Sequence, residues 1–327
     1  MVTQSGIETW SEDIKGKVAI VTGSGRGIGR SHALGLAAAG VLVVVNDLAP
    51  SGDDPDVAAA VVEEIRAAGG VAIANHEDIS QWEGAGRLVD AALGAFGSVD
   101  FLVNNAGMAY FNTVEHDTRE TWDRVINVNL SGGAALIHRA GGHWRKTGPR
   151  AGRAIVNTSS PVGLNPMPGM TSYCAAKAGV VALTIGAACE LAELGVRVNA
   201  IAPIARTRQT EHVEGLEHLM QRPTKGLDTL APENVTALVM YLLSSACDFT
   251  GRIFGIQGDD LYLVKNARVD QHFTNGGQEW TSDALIGALA DVDRQDRAYA
   301  MHVKAYYRGS WPSSDTLAKL ATFSRLT

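Results

Sequence analysis

The chain has 327 residues, of which 46% are hydrophobic and 36 are glycine, and this is enough for one large α/β domain with a sizeable core. A formal net charge of −7 argues against the clustered basic surface that nucleic acids and anionic membranes require. Three cysteines without a Cys-x-x-Cys spacing indicate neither a disulfide framework nor a metal site. Residues 1–16 lack a signal-peptide pattern, and no stretch reaches the roughly 18 apolar residues of a membrane span. We therefore expect a cytoplasmic protein that binds a small molecule.

Short apolar runs alternate with helical stretches along the chain. Runs rich in β-branched residues predict buried strands at residues 17–22, 41–46, 71–75, 101–104, 154–158 and 196–201. Helices are predicted at residues 28–39, 58–68, 84–96, 121–128, 173–194 and 232–243. This alternation implies right-handed crossovers and an α/β fold with a doubly wound parallel sheet.

The composition of the sequence changes near residue 260, after which charged residues, histidine and glycine are mixed. We expect residues 1–260 to form a single domain, and residues 261–327 to form a C-terminal extension packed on it or on a neighbouring subunit. Two short amphipathic helices that begin at serine caps are predicted in this extension, at residues 282–292 and 313–323.

A glycine-rich turn, Thr22-Gly-Ser-Gly-Arg-Gly-Ile-Gly29, lies between the first predicted strand and the first helix. Glycines permit tight turning and close backbone approach, so that a pyrophosphate can bind the amides of the helix N-terminus. A glycine-rich turn can also be an ordinary connecting loop. Its position directly after the first strand favours the binding of a dinucleotide.

Asp47 ends the second predicted strand, about 20 residues after the glycines, where a carboxylate can accept both hydroxyls of an adenosine ribose. The same carboxylate repels a 2′-phosphate, which favours NAD over NADP. Arg26, inside the glycine turn, favours NADP because a guanidinium can pair with that phosphate. The alternative interpretation of Asp47 is a surface turn residue beside Asn46.

Tyr173 and Lys177 are four residues apart on a predicted helix, so their side chains share one face. A nearby ammonium group favours the phenolate and brings the phenol towards useful general acid/base strength. Taken alone, this pair is also typical of an amphipathic helix with a solvent-reaching lysine.

Two further polar residues complete a possible catalytic group. Ser160 closes the predicted strand 154–158, where its hydroxyl can bond a substrate oxygen, whereas Ser159 is interpreted as a strand terminator. Asn129 lies inside a helical stretch, where it can open a turn and hold a water that contacts Lys177. We interpret Asn127 as an ordinary helix residue.

Taken in order, these features, with Asn104-Asn-Ala-Gly107 and Pro203, resemble the short-chain dehydrogenase/reductase family over residues 14–260. The resemblance implies a single Rossmann domain, a nicotinamide cofactor, for which Asp47 favours NAD, and the interconversion of a secondary alcohol and a ketone. The catalytic residues that it implies are Asn129, Ser160, Tyr173 and Lys177. Besides Tyr173 and Lys177, the cofactor contacts that it implies are Gly23, Arg26, Gly27, Ile28, Gly29, Asp47, Leu48, Asp78, Ile79, Asn105, Ala106, Gly107, Pro203, Ala205, Arg206 and Thr207.

Three segments, residues 44–48, 202–210 and 230–235, are similar to the dehydrogenase part of peroxisomal multifunctional enzyme type 2 and its bacterial relatives. That group acts on (3R)-hydroxyacyl-CoA thioesters and, in some members, on 17β-hydroxysteroids. The segment Met108-Ala-Tyr-Phe111 replaces the Ile-Leu-Arg-Asp usual there, which weakens the CoA assignment and suits a steroid or terpenoid ring. We expect the substrate to contact Ser160, Pro161, Tyr110 and Tyr173.

Several alternatives stay open at this point. A sugar-alcohol or terpenol dehydrogenase is the rival enzyme, and a nucleotide-sensing protein without turnover is the rival from another class. The resemblance also implies a homodimer or homotetramer. We expect residues 209–230 to form a lid over the substrate pocket, with His212 and His218 as solvated loop residues rather than metal ligands.

Overall fold

The computed structural model describes residues 12–52, 54–207, 221–265, 272–275 and 279–290. Most of the predicted lid, with His212 and His218, lies outside these ranges, and so does the predicted helix 313–323.

The described residues contain one mixed sheet. Its strands are β1 (Val18–Thr22), β2 (Leu42–Asn46), β3 (Ala72–Asn75), β4 (Phe101–Asn104), β5 (Arg153–Thr158), β6 (Val196–Pro203), β7 (Ile253–Gln257) and β8 (Asp260–Val264). Their order is β3-β2-β1-β4-β5-β6-β7-β8. Strands β1 to β7 are parallel, and β8 pairs with β7 in the antiparallel direction. The predicted parallel sheet is confirmed, but the sequence analysis missed β7 and β8.

Helices connect the parallel strands and cover both faces of the sheet. They are α1 (Gly27–Ala38), α2 (Val57–Ala67), α3 (Trp82–Phe96), α4 (Arg119–Ile126), α5 (Gly132–Thr147), α6 (Pro161–Leu164), α7 (Thr171–Leu191) and α8 (Glu233–Leu243). One core cluster joins α1, α2 and α8 to the sheet, and the other joins α3, α5 and α7 to the opposite face. Alternate residues of β1 belong to the two clusters, which explains why the strand is apolar at every position.

Helix α5 was missing from the sequence-based prediction because glycine is a poor helix former and this segment carries two glycine pairs. Close packing explains one glycine of each pair. A Cβ atom at Gly132 would lie 2.8 Å from the carbonyl oxygen of Ile79, and one at Gly141 would lie 3.3 Å from the side chain of Leu191. The helix therefore approaches its neighbours more closely than larger residues would allow.

The stretch Thr171–Leu194, which contains α7, is long and apolar enough by composition to cross a membrane. This corrects the expectation that no such stretch exists. In the structure, 44% of its most apolar window is buried within the protein, and it carries Tyr173 and Lys177. Packing on the sheet accounts for much of its apolar character.

Strand β8 crosses the predicted boundary at residues 260/261, because its backbone completes the sheet beside β7. The first compact unit accordingly continues to Val264. The second unit contains α9 (Ser282–Leu289), which begins at the predicted residue. Its cap is Thr281 rather than Ser282, since the Thr281 side chain accepts a hydrogen bond from the Ala284 amide.

Candidate active site

The predicted site residues gather at the carboxyl ends of the parallel strands. Strands β1 and β4 are neighbours in the sheet but not in the chain, so the helices that follow them leave towards opposite faces. A crevice at such a switch point is where α/β proteins of this topology bind ligands.

The turn between β1 and α1 is shaped by its glycines. Gly23 and Gly27 have φ angles of 59° and 54°, a region that favours glycine. A Cβ atom at Gly29 would overlap the carbonyl oxygen of Gly23 and the side-chain amide of Asn105. Arg26 is the cap residue of α1, and within the described chain no side chain caps this helix. The first amides of α1, which include that of Ile28, thus suit an anionic ligand such as a pyrophosphate.

Asp47 lies beside this turn. One of its carboxylate oxygens accepts a hydrogen bond from the Gly25 amide at 2.8 Å, and the other accepts one from the Leu48 amide at 3.0 Å. The carboxylate therefore holds a fixed position at the end of β2, with acceptor capacity left for ribose hydroxyls. Arg26 is exposed at the same turn, and the Leu48 side chain is 57% exposed.

The residues after β4 hold the glycine turn at the centre of the sheet through hydrogen bonds. The Asn105 side chain donates to the carbonyl oxygens of Thr22 and Gly23, and the amides of Asn105 and Ala106 donate to the Thr22 hydroxyl. A Cβ atom at Gly107 would lie 2.7 Å from Asn129 Oδ1 and 3.2 Å from Lys177 Nζ. The glycine turn and the predicted catalytic residues Asn129 and Lys177 are thus linked through this one short segment.

Asp78 and Ile79 follow β3, at the same edge of the sheet. The Asp78 carboxylate accepts a hydrogen bond from the Ser80 amide, and the Ile79 side chain is buried against Gly132. The Asp78 carboxylate therefore keeps acceptor capacity for an adenine amino group, whereas the buried Ile79 would contact an adenine mainly through its backbone.

The loop after β6 contains the remaining predicted cofactor contacts. Pro203 ends the strand, Ala205 is buried, and Thr207 lies next to the glycine turn, 3.8 Å from where a Cβ atom of Gly27 would stand. The guanidinium of Arg206 forms a two-fold ion pair with Asp228, at 2.7 and 3.1 Å, and its contact with a cofactor stays a prediction.

Tyr173 and Lys177 share one face of α7, as predicted. The ammonium nitrogen of Lys177 lies 5.6 Å from the centre of the Tyr173 ring and donates to the carbonyl oxygen of Thr158 at 2.8 Å. Burial lowers the pKa of Lys177 to about 7. Burial also raises the pKa of Tyr173 to about 12, although its hydrogen bond with the Ser160 side chain acts in the opposite direction. In the protein without a ligand, the phenol is therefore protonated at neutral pH.

Ser160 caps the short helix α6, because its hydroxyl accepts a hydrogen bond from the Val162 amide. The same hydroxyl lies near the phenol of Tyr173 and lowers its pKa. Together, the two hydroxyls could bind the oxygen atom of an alcohol or ketone. Ser159 is buried, and its hydroxyl donates to the carbonyl oxygen of Lys177 at 2.8 Å. This second serine holds α7 in place, in agreement with its interpretation as a structural residue.

Asn129 lies in a π-helical turn, Asn127–Ser131, between α4 and α5. Its side chain donates to the carbonyl oxygens of Met108 and Val125 and accepts from the Met108 amide. This is the opened turn that the sequence analysis expected. Asn127 is exposed, in keeping with an ordinary helix position.

A small cavity lies beside Asn129. Its volume of about 10 Å³ suits a single water molecule, and its lining includes Asn104 and Thr158. Asn104 Oδ1 and Thr158 Oγ1 are buried and have no hydrogen-bond partner among the described residues. The cavity is therefore a suitable place for a water near Asn129; the contact of such a water with Lys177 stays a prediction.

The expected substrate side is formed by two loops that meet at an isolated parallel bridge between Asn112 and Met170. The Tyr110 hydroxyl accepts a hydrogen bond from Arg124 of α4 at 3.1 Å. Pro161 is buried at the start of α6. The side chains packed around Tyr173 are apolar or sulfur-containing: Val162, Met167, Met170 and Cys174.

Three residues that support the site were not identified as functional from the sequence. Thr158 receives the lysine through its carbonyl group, Asp228 engages Arg206, and Gly163 allows a close helix contact. A Cβ atom at Gly163 would lie 2.6 Å from the backbone carbonyl carbon of Lys177. None of these roles depends on a local sequence pattern, so no signal in the sequence could have identified them.

Comparison with known proteins agrees with this geometry. The chain is 39% identical over 290 residues to the hydroxyacyl-CoA dehydrogenase ChsB1 of Mycobacterium tuberculosis, covering 86% of this chain and 90% of that protein. It is 36% identical over 245 residues to the mouse peroxisomal multifunctional enzyme type 2, covering 74% of this chain but only 31% of the mouse enzyme. A crystal structure of a short chain dehydrogenase from Mycobacterium avium superimposes with a TM-score of 0.75 at 38% identity, covering 85% of this chain and 95% of that one.

The family model that describes a short chain dehydrogenase matches residues 17–217, which include the glycine turn and the residues Asn129, Ser160, Tyr173 and Lys177. The chain therefore belongs to the short-chain dehydrogenase/reductase family, close to the group of the hydroxyacyl-CoA dehydrogenases and peroxisomal multifunctional enzyme type 2.

Proposed function

We propose that this protein is an NAD-dependent dehydrogenase that interconverts a secondary alcohol and a ketone. The observation that supports this most directly is the grouping of Ser160, Tyr173 and Lys177, with the Lys177 ammonium nitrogen 5.6 Å from the centre of the Tyr173 ring. These residues lie at the same edge of the sheet as a glycine turn that suits a pyrophosphate.

In the oxidation that we propose, Tyr173 acts as the base. Its phenolate takes the hydroxyl proton of the alcohol. A nicotinamide cofactor held at the glycine turn would supply the acceptor for the hydride of the carbinol carbon. Ser160 donates a hydrogen bond to the substrate oxygen as the carbonyl group forms. Lys177, when protonated, stabilises the phenolate by its positive charge. In the reductive direction, the phenol of Tyr173 returns the proton to the substrate oxygen.

Asp47 supports NAD as the cofactor. Its carboxylate is fixed by the amides of Gly25 and Leu48 where the adenosine ribose of a dinucleotide would lie, and it would repel a 2′-phosphate there. NADP is the alternative, because the exposed Arg26 stands at the same turn. We place more weight on Asp47 because its position is fixed by two hydrogen bonds.

For the substrate, we propose a 3-hydroxyacyl-CoA or a hydroxysteroid. The similarity to the hydroxyacyl-CoA dehydrogenase ChsB1 supports the first of these, and the partly buried Met167, which packs on the same core cluster as Tyr173, adds an apolar surface on this side of the site. Such a surface would also accept a terpenol, whereas it would offer a sugar alcohol few polar partners. A nucleotide-sensing protein without turnover would have no need of the arranged Ser160, Tyr173 and Lys177.

A substrate screen tests this proposal. NADH and NADPH formation would be followed by absorbance with 3-hydroxyacyl-CoA thioesters, hydroxysteroids, terpenols and polyols, each with NAD⁺ and NADP⁺ in parallel. We expect turnover with NAD⁺ and one of the first two classes. Turnover of polyols alone, or with NADP⁺ alone, would contradict the substrate or the cofactor. Binding of NADH without turnover of any compound would favour the nucleotide sensor.

We also propose that the protein assembles as a homodimer or homotetramer, and that it is located in the cytoplasm. Helix α7 exposes the small residues Ala175, Ala182 and Gly186 on its outer side, and small residues allow a second helix to approach closely. Sedimentation analysis of the purified protein would give the subunit number.

A further inference from the structure

The ion pair of Arg206 and Asp228 lies behind the loop that follows β6. The Arg206 side chain is 5% exposed and that of Asp228 is 25% exposed. One guanidinium nitrogen donates to Asp228 at 2.7 Å, and the other donates to Asp228 at 3.1 Å and to the carbonyl oxygen of Gln221 at 3.2 Å. The arginine thus holds both a carboxylate and a backbone carbonyl, and it does so away from solvent.

The two partners belong to segments that are also joined by their backbones. The Arg206 amide donates to the carbonyl oxygen of Leu230 at 2.6 Å, and the Asp228 carboxylate accepts from the Leu230 amide. The Asp228 carbonyl oxygen accepts from the side chain of Asn234, the second residue of α8. The loop after β6 is therefore fastened to the segment that leads into α8.

Thr207, the residue after Arg206, connects this anchored loop to the glycine turn. The Thr207 side chain lies 3.8 Å from where a Cβ atom of Gly27 would stand, whereas the adjacent Arg206 side chain pairs with Asp228. On the other side, the Ile204 amide donates to the carbonyl oxygen of Ile256 in β7. The backbone is thus held at residues 204 and 206, and a shift at Arg206 would move Thr207 relative to the turn.

We infer that Arg206 and Asp228 are positioning residues for the cofactor-binding loop, and that Arg206 does not bind the pyrophosphate directly. The inference rests on the proposed function, since it assumes that a dinucleotide binds at the glycine turn. The Asp228 carboxylate and a ligand phosphate would compete for the same guanidinium. The carboxylate is already in place, with two-fold geometry and little exposure to solvent, so the arginine serves the cofactor through Thr207.

Binding of NADH to purified variants, followed by fluorescence titration, distinguishes positioning from direct contact. Asp228→Asn should weaken NADH binding about tenfold to a hundredfold, because the loop shifts when the buried arginine loses its charged partner. Arg206→Lys should weaken it as well, since an ammonium cannot form the two-fold pair. The KM for NAD⁺ should rise in both variants, with a much smaller change in kcat at saturating cofactor.

If Arg206 instead contacts a phosphate of the cofactor directly, Asp228→Asn should change NADH affinity in the opposite direction. Removal of the competing carboxylate would free the arginine, so unchanged or tighter NADH binding would overturn the inference. Asp228→Glu keeps the charge balance while it displaces the carboxylate, and it replaces Asp228→Asn in the test if the latter does not fold. Weaker binding by this variant supports positioning, and unchanged binding contradicts it.

Asp100→Asn serves as the matched control, because it breaks the ion pair between Asp100 and Arg150 at the opposite edge of the same sheet. This variant should melt at a lower temperature yet bind NADH as the wild type does. Equal weakening in this control would show that NADH affinity follows general stability, and it would overturn the inference. If the wild-type protein binds neither NADH nor NADPH, the proposed function fails and the inference fails with it. If the wild type binds and the Asp228 variants bind equally well, the inference alone fails.

Discussion

Buried polar groups have different roles at the two ends of the parallel strands, which we call the amino edge and the carboxyl edge of the sheet. At the amino edge, the buried Asp100 accepts hydrogen bonds from the Val18 amide and the Ser98 hydroxyl and pairs with Arg150, and the Trp144 indole donates to the carbonyl oxygen of Val99. At the carboxyl edge, the Ser160 hydroxyl lies near the phenol of Tyr173, and the Lys177 ammonium donates to the carbonyl oxygen of Thr158.

The polar groups at the amino edge serve the stability of the fold, and those at the carboxyl edge serve the proposed chemistry. Polar groups at the amino edge join strands and helices to one another, so they contribute to the free energy of unfolding. Those at the carboxyl edge have shifted pKa values and retain capacity to bind further atoms, as Tyr173 and Lys177 illustrate. We therefore expect substitutions at the carboxyl edge to change activity, and substitutions at the amino edge to change stability.

The largest effect is expected for Tyr173→Phe. Removal of the phenolic hydroxyl removes the proposed acid/base group, so turnover should fall by about 10²- to 10⁴-fold while NADH still binds. Steady-state kinetics and NADH titration would measure the two quantities. Tyr262→Phe, on the edge strand β8, is the matched control and should keep normal turnover. Near-normal activity of the Tyr173 variant would refute the role of this residue.

A glycine comparison tests the cofactor turn. In Gly29→Ala, the new methyl group would overlap the carbonyl oxygen of Gly23, so the turn must distort and NADH binding should weaken about a hundredfold. Gly94→Ala introduces the same methyl group on α3, where nothing lies within 4 Å, and should stabilise the helix by up to about 1 kcal/mol. Both variants would be titrated with NADH and melted. Equal NADH affinity in the two would contradict a dinucleotide site at this turn.

The pH dependence of the two reaction directions should differ in sign. The pKa of Tyr173 is raised to about 12 by burial, so the phenol dominates at neutral pH and the phenolate fraction grows as the pH rises. Oxidation, which needs the phenolate, should therefore accelerate from pH 6 to 9, by at most about tenfold per pH unit. The slope should be smaller than this limit, because Lys177, with a pKa of about 7, loses its stabilising charge over the same range.

Reduction uses the phenol as the acid and should not accelerate over this range. Initial rates in both directions, with one substrate pair and saturating cofactor, would test the sign. NADH affinity measured at each pH is the control, since it removes any contribution from cofactor binding. A flat profile for oxidation would count against Tyr173 as the base.

The sequence revealed most where local patterns dictate structure. The six strands β1 to β6 follow from apolar runs, and the glycine turn follows from its place after β1. The spacing of Tyr173 and Lys177 places them on one face of any helix. The sequence also indicated that Ser159 is structural, and its hydroxyl bonds the lysine carbonyl.

What the sequence did not reveal depends on contacts between distant segments. Helix α5 contains glycine pairs that argue against a helix, and packing against Ile79 and Leu191 explains one glycine of each pair. Arg206 stands among residues that resemble cofactor contacts, yet its partner is 22 positions away and no periodicity predicts that pair. Strand β8 forms by pairing with β7, the last parallel strand, and that partner is in place only once the sheet has formed.

The smallest effect on activity is expected at the amino edge, for Trp144→Phe. The indole is fully buried, and its substitution would leave the carbonyl oxygen of Val99 without its donor. We expect a loss of about 1–3 kcal/mol in the free energy of unfolding, with unchanged turnover at 25 °C. Trp82→Phe, at a side chain that is 50% exposed, should change neither quantity appreciably. Denaturant titration with parallel kinetics would measure both. Reduced turnover in a folded Trp144 variant would show that the two edges are coupled, since no described contact joins this tryptophan to the catalytic residues.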